Sequence, residues 1–203
     1  MKRFAALLVP CALACGSPAR APAQAPTDTV RAALRYTASD VEFMSGMIAH
    51  HAQAVAMARW APSHGASPSV RTLCERIINA QTDEIALMQR WLGDRHQAVA
   101  AADPRGMHMA GMDQPMLMPG MLTPAQMAQL DSARGPDFDR LFLRFMIQHH
   151  SGAVTMVNDL FARGAGEEET VYKFASDVYA DQTTEIARMQ QMLGAVLFGA
   201  PGR

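Results

Sequence analysis

Wound as a helix at about 100° per residue, the stretch 40–57 gathers its apolar positions on one side. His50 and His51 flank a stripe that carries Phe43, Met47 and Ala54, with Met57 close to His50. The small alanines along this stripe leave room for another helix to approach. The helix is expected to begin near residue 39, where Ser39 and Glu42 have capping-box spacing, and to stop before the two prolines and the glycine of 62–68. A second helix is expected over about 69–92, with Val70, Leu73, Cys74, Ile77, Ile85, Met88 and Leu92 on one stripe, Gln81 at its centre and Glu84 at its edge. Thr123-Pro124 opens a short helix, threonine as cap and proline at the first position. Long helices follow over about 136–163 and 167–197, separated by Gly164 and Gly166. No window alternates as a strand does, so the class is all-α.

These long helices are two copies of one unit. Nine of the eighteen positions of 40–57 are identical in 139–156, and nine of the thirteen positions of 81–93 are identical in 182–194. The repeated unit is therefore a whole helical hairpin with an apolar face that it cannot bury alone. Two such hairpins make a four-helix arrangement with approximate twofold symmetry. The domain spans 37–197: hairpin one over 37–93, a linker over 103–121, the short helix over 123–134 and hairpin two over 136–197.

The repeat carries the candidate chemistry. Four of the seven histidines are His50, His51, His149 and His150, accompanied by Met47 and Met57 in one copy and Met146 and Met156 in the other. Thioether is a soft, neutral ligand and imidazole an intermediate one, so this set selects Cu(I) or Ag(I) over Mg²⁺ or Ca²⁺. Gln81, Glu84 and Met88, with Gln182, Glu185 and Met189 in the second copy, are placed to support those ligands. A ligating imidazole commonly passes its other N–H to such an acceptor. The plainer reading of the same residues is methionine as core filler and histidine satisfied by Gln81 or Glu84. The linker is different. It holds six of the sixteen methionines, Met107, Met109, Met112, Met116, Met118 and Met121, with His108 between the first two. Three prolines and three glycines keep it from regular helix, so it reads as a flexible arm that captures Cu(I). The alternative is a connector whose methionines cover apolar surface or scavenge oxidants. A carboxylate-rich di-iron centre would need Glu-x-x-His pairs, which the sequence lacks, so iron is the less favoured metal. No catalytic constellation is evident.

Charge and composition narrow the picture further. The net charge of −1 over 203 residues, without a basic block, argues against nucleic acid as partner. Lys2 and Arg3 precede an apolar run over 4–14, the form of a secretory signal over 1–15 and too short to span a membrane. Ala12-Leu13-Ala14-Cys15 has the form of a lipobox, with Cys15 as the lipidated residue. A Pro/Ala-rich tether over 16–36 follows. The expectation is an exported, periplasmic protein that touches the membrane only through a lipid anchor. Outside the signal the chain has one cysteine, Cys74, on an apolar stripe, where it reads as a small buried hydrophobe.

The Phe-xxx-Met-Ile-x-His-His-xx-Ala-xx-Met helix, followed by Gln-xx-Glu-Ile-xx-Met, closely resembles the bacterial family catalogued as domain of unknown function 305. Leu122-Thr123-Pro124 and Phe138-Asp139-Arg140-Leu141-Phe142 also look like that family, and the resemblance covers about 37–197. It implies a ferritin-like four-helix bundle, usually exported, with some members associated with copper and silver in the periplasm. Metal-transport or chaperone proteins would then be partners beside the metal ion. A ferritin-like di-metal redox enzyme and a metal-free helical interaction module are the alternatives.

Overall fold

The computed structural model describes residues 36–199 apart from 109, 110 and 112. Cys15, the signal segment, nearly all of the tether, Met109 and Met112 lie outside the described residues. Five helices follow in order: α1 (Ala38–Arg59), α2 (Pro68–Asp94), α3 (Pro124–Ser132), α4 (Gly135–Ala162) and α5 (Glu169–Phe198). Among the described residues there is no strand beyond a single antiparallel bridge between Met107 and Met116. No helix of the described residues is long and apolar enough to cross a membrane.

The expected boundaries hold to within a few residues, but the first cap lies two residues earlier. Thr37, not Ser39, caps α1. Its hydroxyl accepts from Asp40 N at 3.2 Å, and Asp40 Oδ2 accepts from Thr37 N at 2.6 Å. Asp40 takes the role expected of Glu42 because, with Thr37 as cap, it is Asp40 that stands at the third helical position.

Each hairpin packs closely within itself, α1 on α2 and α4 on α5, and the two hairpins meet along α1 and α4. The two central helices run antiparallel, and a pair of repeat-related carboxylates fixes their ends. Asp40 Oδ1 accepts from Gly166 N at 2.7 Å, in the turn between α4 and α5. Asp139 accepts from Ser67 N at 3.2 Å, in the turn between α1 and α2. Both carboxylates are buried. Residue 139 is 40 displaced by 99, and 166 is 67 displaced by 99, so the contact is one interaction made twice about an approximate twofold axis. Each hairpin thereby stops the other's loop from leaving a buried N–H without a partner. Cys74 is buried as expected, and burial pushes its thiol up to about 12.

Candidate metal centre

The axis between the hairpins passes by the histidines. His50, His51, His149 and His150 are all fully buried. The His50 and His149 rings face each other with centroids 3.8 Å apart and a tilt of 37°. Each lies 6.2 Å from its neighbour in sequence. Adjacent helical residues are about 100° apart on the wheel, so one imidazole of each pair points at the opposing central helix while the other points at the outer helix of its own hairpin. His51 Nε2 stands 2.8 Å from Glu84 Oε2 and His150 Nε2 stands 2.8 Å from Glu185 Oε2. The second contact is a well-aligned hydrogen bond, whereas the first is equally short but off the hydrogen-bond line.

These partners fix which nitrogen carries the proton. A carboxylate only accepts, so Nε2 of His150 donates and its Nδ1 keeps the lone pair. His51 beside Glu84 follows the same logic. His50 differs: its Nε2 lies 3.1 Å from the carbonyl oxygen of Pro119, which also only accepts. Its Nδ1 is therefore a lone pair as well. The Nδ1 atoms of His50 and His150, and both ring nitrogens of His51 and His149, are buried without a hydrogen-bond partner, His51 Nε2 having only the misaligned Glu84 carboxylate beside it. Burial, with the charges of neighbouring imidazoles as the smaller cause, holds His50 and His149 well below the usual histidine range. They are neutral, as ligands must be. Six ring nitrogens without a hydrogen bond in one place is unusual, because each such group costs roughly 1–3 kcal/mol when left unsatisfied.

The thioethers divide into two groups. Met47, Met88 and Met156 are buried in one cluster, and Met57, Met146 and Met189 in another. The helical wheel places Met47 and Met57 on one stripe, yet ten residues of helix separate them by about 15 Å along the axis. Antiparallel packing brings each instead to the opposite copy of the other. Both groups obey the repeat, since Met47 corresponds to Met146, Met57 to Met156 and Met88 to Met189. Among the described residues, no three His, Cys, Asp or Glu side chains come close enough to hold an ion by themselves. A buried ion here would draw on imidazole pairs and thioethers, all neutral. Such a set suits a soft monovalent ion, because the cost of burying an ion rises steeply with its charge.

The linker does not stand clear of the bundle. Met107 and Met116 are half-buried and bridge backbone to backbone at 2.9 and 2.8 Å. His108 is exposed with Nε2 2.7 Å from Asp103 Oδ2. Met118 is half-buried, and Met121 is buried with its sulfur accepting from Met118 N at 3.3 Å. The 117–122 stretch is a strap laid over the groove between α1 and α4. Gln53 clamps it, donating to the carbonyls of Pro104 and Leu122 at 3.0 and 3.1 Å and accepting from Leu122 N at 2.6 Å. Gly152 presents no side chain where Pro119 and Gly120 cross, and Gln148 donates to Gly120 O at 3.2 Å. The strap breaks the twofold symmetry. Its Pro119 carbonyl bonds His50 and not His149, and its seat uses positions at which the two copies differ: Gly46 against Phe145, Gln53 against Gly152 and Ala49 against Gln148.

Sequence reasoning missed Asp40, Asp139, Gln53 and the Pro119 carbonyl. The aspartates were visible as identities within the repeat, and the strap seat as departures from it. Gln81 and Gln182 are buried with Oε1 unpartnered, while Met88 and Met189 are fully buried.

Comparison with known proteins agrees with this architecture. A DUF305 protein from Streptomyces coelicolor superimposes with a TM-score of 0.67 at 27% identity, covering 81% of this chain and 98% of that one. CopM in its Cu(I)-bound form superimposes with a TM-score of 0.61 at 27% identity, covering 81% of this chain and 100% of that one. CopM in a silver-bound form gives a TM-score of 0.57 at 29% identity over 75% and 93% of the two chains. No curated protein matches the chain. The family model described as Domain of unknown function (DUF305) matches residues 40–193, and the chain belongs to that family.

Proposed function

We propose that this protein binds Cu(I) or Ag(I) in the cell envelope and sequesters the ion or hands it over, without turnover. The observation that carries this reading is the set of buried ring nitrogens of His50, His51, His149 and His150 that meet no protein partner. Buried methionines on both sides supply the soft remainder of a ligand set, from Met47, Met88 and Met156 on one side and Met57, Met146 and Met189 on the other. Glu84 and Glu185 orient His51 and His150 from behind, the arrangement in which a carboxylate raises the basicity of a ligating imidazole. Similarity to CopM, which is described in Cu(I)-, Cu(II)- and Ag-bound forms, supports the metal class. Met107, His108, Met109, Met112, Met116 and Met118 form a second, outer group of ligands that takes the ion first, while Met121 is buried and stands outside that group. A redox role at a hard di-metal centre is disfavoured by the paucity of carboxylates around the imidazoles.

The test uses protein purified without an affinity tag. Cu(I) is titrated in competition with a chromophoric Cu(I) chelator. Binding of at least one equivalent that is lost in the His50→Ala/His149→Ala variant supports the reading, and binding indifferent to those changes defeats it. Export and anchoring rest on the N-terminal sequence. Mass spectrometry of the mature protein should show cleavage before Cys15 with a lipid adduct on that residue.

A further inference from the structure

The strap that holds His50 also borders an opening. Where the start of α1 meets the end of α4 lies a cavity of about 110 Å³, lined by Phe43, Met118, Pro119, Met156 and Leu160. Its volume is several times the roughly 10–15 Å³ that one water molecule needs, so an ion enters it with part of its water. Glu42, Asp159 and Arg163 line it too, and all three are exposed. Arg163 is paired with Glu42 at 3.2 Å, which leaves Asp159 to give the rim a negative sign. The inner wall is thioether. Gly46 makes a notch in α1, where a side chain would begin 2.8 Å from Met118 Sδ and 3.6 Å from Met156 Cε. Met118 is half-buried, and Met156 belongs to the buried group that holds Met47 and Met88. The lining thus runs from a carboxylate, to a thioether of the strap, to a thioether of the core. Thioethers bind soft ions without losing a proton, so an ion passes along them with no proton to move.

The repeat puts different residues at the same positions on the other side. Ser39 and Gly46 correspond to Phe138 and Phe145, and Asp159 and Arg163 correspond to Trp60 and His64. Phe145 stands where the notch would be. Phe138 is fully buried, with ring centroids 5.7 Å from Phe142 and 5.1 Å from His64, and Trp60 stacks on His64 at 5.8 Å. His64 Nε2 lies 3.1 Å from Asp131 Oδ1 in α3, which fastens this aromatic plug. Behind it Met57, Met146 and Met189 have no exposure at all. A cavity of about 160 Å³ beside α2 is lined by none of them, and its one sulfur is the Cys74 thiol, which burial keeps protonated. The cleft between α2 and α5 is lined by no sulfur, so it offers a soft ion no first ligand.

Resting on the soft-metal reading above, we propose that Met118 and Met156 at the Gly46 notch form the entry port for Cu(I) or Ag(I), and that the two buried thioether groups fill in order. Met47, Met88 and Met156 load first. Met57, Met146 and Met189 load afterwards, by passage across the His50–His149 contact. Met118 is then a transfer ligand that the strap holds in the notch, and the aromatic plug makes access one-sided. The molecule carries its own reporters, because its two tryptophans fall one to each side. Trp91 packs in the cluster of Met88, and Trp60 packs against the cluster of Met57.

The test mixes the full chain with Ag(I) in stopped flow and follows tryptophan fluorescence, with bound silver measured by equilibrium dialysis of the same protein. Trp60→Phe isolates the Trp91 signal, and Trp91→Phe isolates the Trp60 signal. The Trp91 signal should be quenched first and the Trp60 signal after a lag. Met118→Leu keeps the volume and removes the sulfur. It should slow both phases about tenfold, the effect of a barrier raised by about 1.4 kcal/mol. Comparing Trp60→Phe with the wild type reads the order a second way, so the result does not depend on Trp91→Phe folding. Phases that coincide, as entry through the cleft between α2 and α5 would give, overturn the port. A Trp60 signal that leads does the same, as does a folded Met118→Leu variant that loads as fast as the wild type. Silver uptake with coincident phases leaves the soft-metal reading standing, whereas no uptake by the wild type ends both.

Discussion

His50 and His149 meet ring to ring at 3.8 Å in a position with no solvent exposure. Protonating either puts a charge where neither water nor a carboxylate can reach it. Burial accordingly holds both below the usual value, with nearby imidazoles adding to the effect. In the unfolded chain the same groups titrate near 6.5. As pH falls through that value the unfolded state takes up protons that the native state refuses, so stability falls with falling pH. Each histidine contributes a slope approaching about 1.4 kcal/mol per pH unit, and the two together about 2.7. The metal-free protein should therefore lose urea resistance steadily between about pH 7 and 5, and His149→Ala should shallow that decline. A flat profile would mean that the buried pair accommodates charge. Glu185 makes a second prediction. Glu185→Gln keeps an acceptor for His150 Nε2 but removes the negative charge behind the ring. Losing such a partner typically costs 10–100-fold in metal affinity. Cu(I) competition should show a loss of that order with the melt nearly unchanged.

The helices and their loops were largely legible in the sequence because period and breakers agreed, even where the first cap was placed two residues late. The prolines and glycines of 62–68 and Gly164 to Gly166 do separate the helices as expected, and the repeat showed that the unit is a hairpin. The strap was not legible. Its methionines and turn residues read as a free arm, whereas Met121 is buried and the Pro119 carbonyl holds His50. Nothing local encodes that seating. It depends on glycines in two other helices whose missing side chains matter only once the helices are packed. A pair of substitutions separates these roles. A Cβ on Gly46 would meet the Met118 sulfur at 2.8 Å, the movable end of a flexible chain, whereas one on Gly152 would drive into the Pro119 backbone. Replacing helical glycine by alanine gains about 1 kcal/mol of intrinsic propensity in either case. Gly46→Ala should thus be close to neutral, while Gly152→Ala should cost roughly 1–3 kcal/mol through overpacking. Urea denaturation measures both, and equal effects would mean that the strap is not held at Gly152.

At the scale of the whole molecule the twofold relation makes a statement about stoichiometry. Spacing alone singled out the histidine pairs as a candidate site, but not which methionine would serve which histidine, since that depends on helix direction. Antiparallel packing of α1 on α4 brings Met47 together with Met156 and Met88, and Met57 together with Met146 and Met189. Each group takes ligands from both hairpins, so neither half of the chain carries a complete set. Two soft-metal positions are expected in the helical domain, one at each side of the His50–His149 contact. They should not be equal, because the strap closes over His50 and leaves His149 unpartnered. Replacing Met47 and Met156 by Leu preserves volume, a change cores usually tolerate at less than about 1.5 kcal/mol. That double variant should lose one class of Cu(I) site and keep the other, and Met57→Leu/Met146→Leu should do the reverse. The cross-paired variant Met47→Leu/Met57→Leu, which strikes both groups while leaving hairpin two intact, should weaken both classes. Cu(I) competition titrations on the three variants, with circular dichroism to confirm folding, decide the matter. If Met47→Leu/Met57→Leu removes a single class and spares the other, the ligands are grouped by hairpin, and the two positions do not straddle the axis.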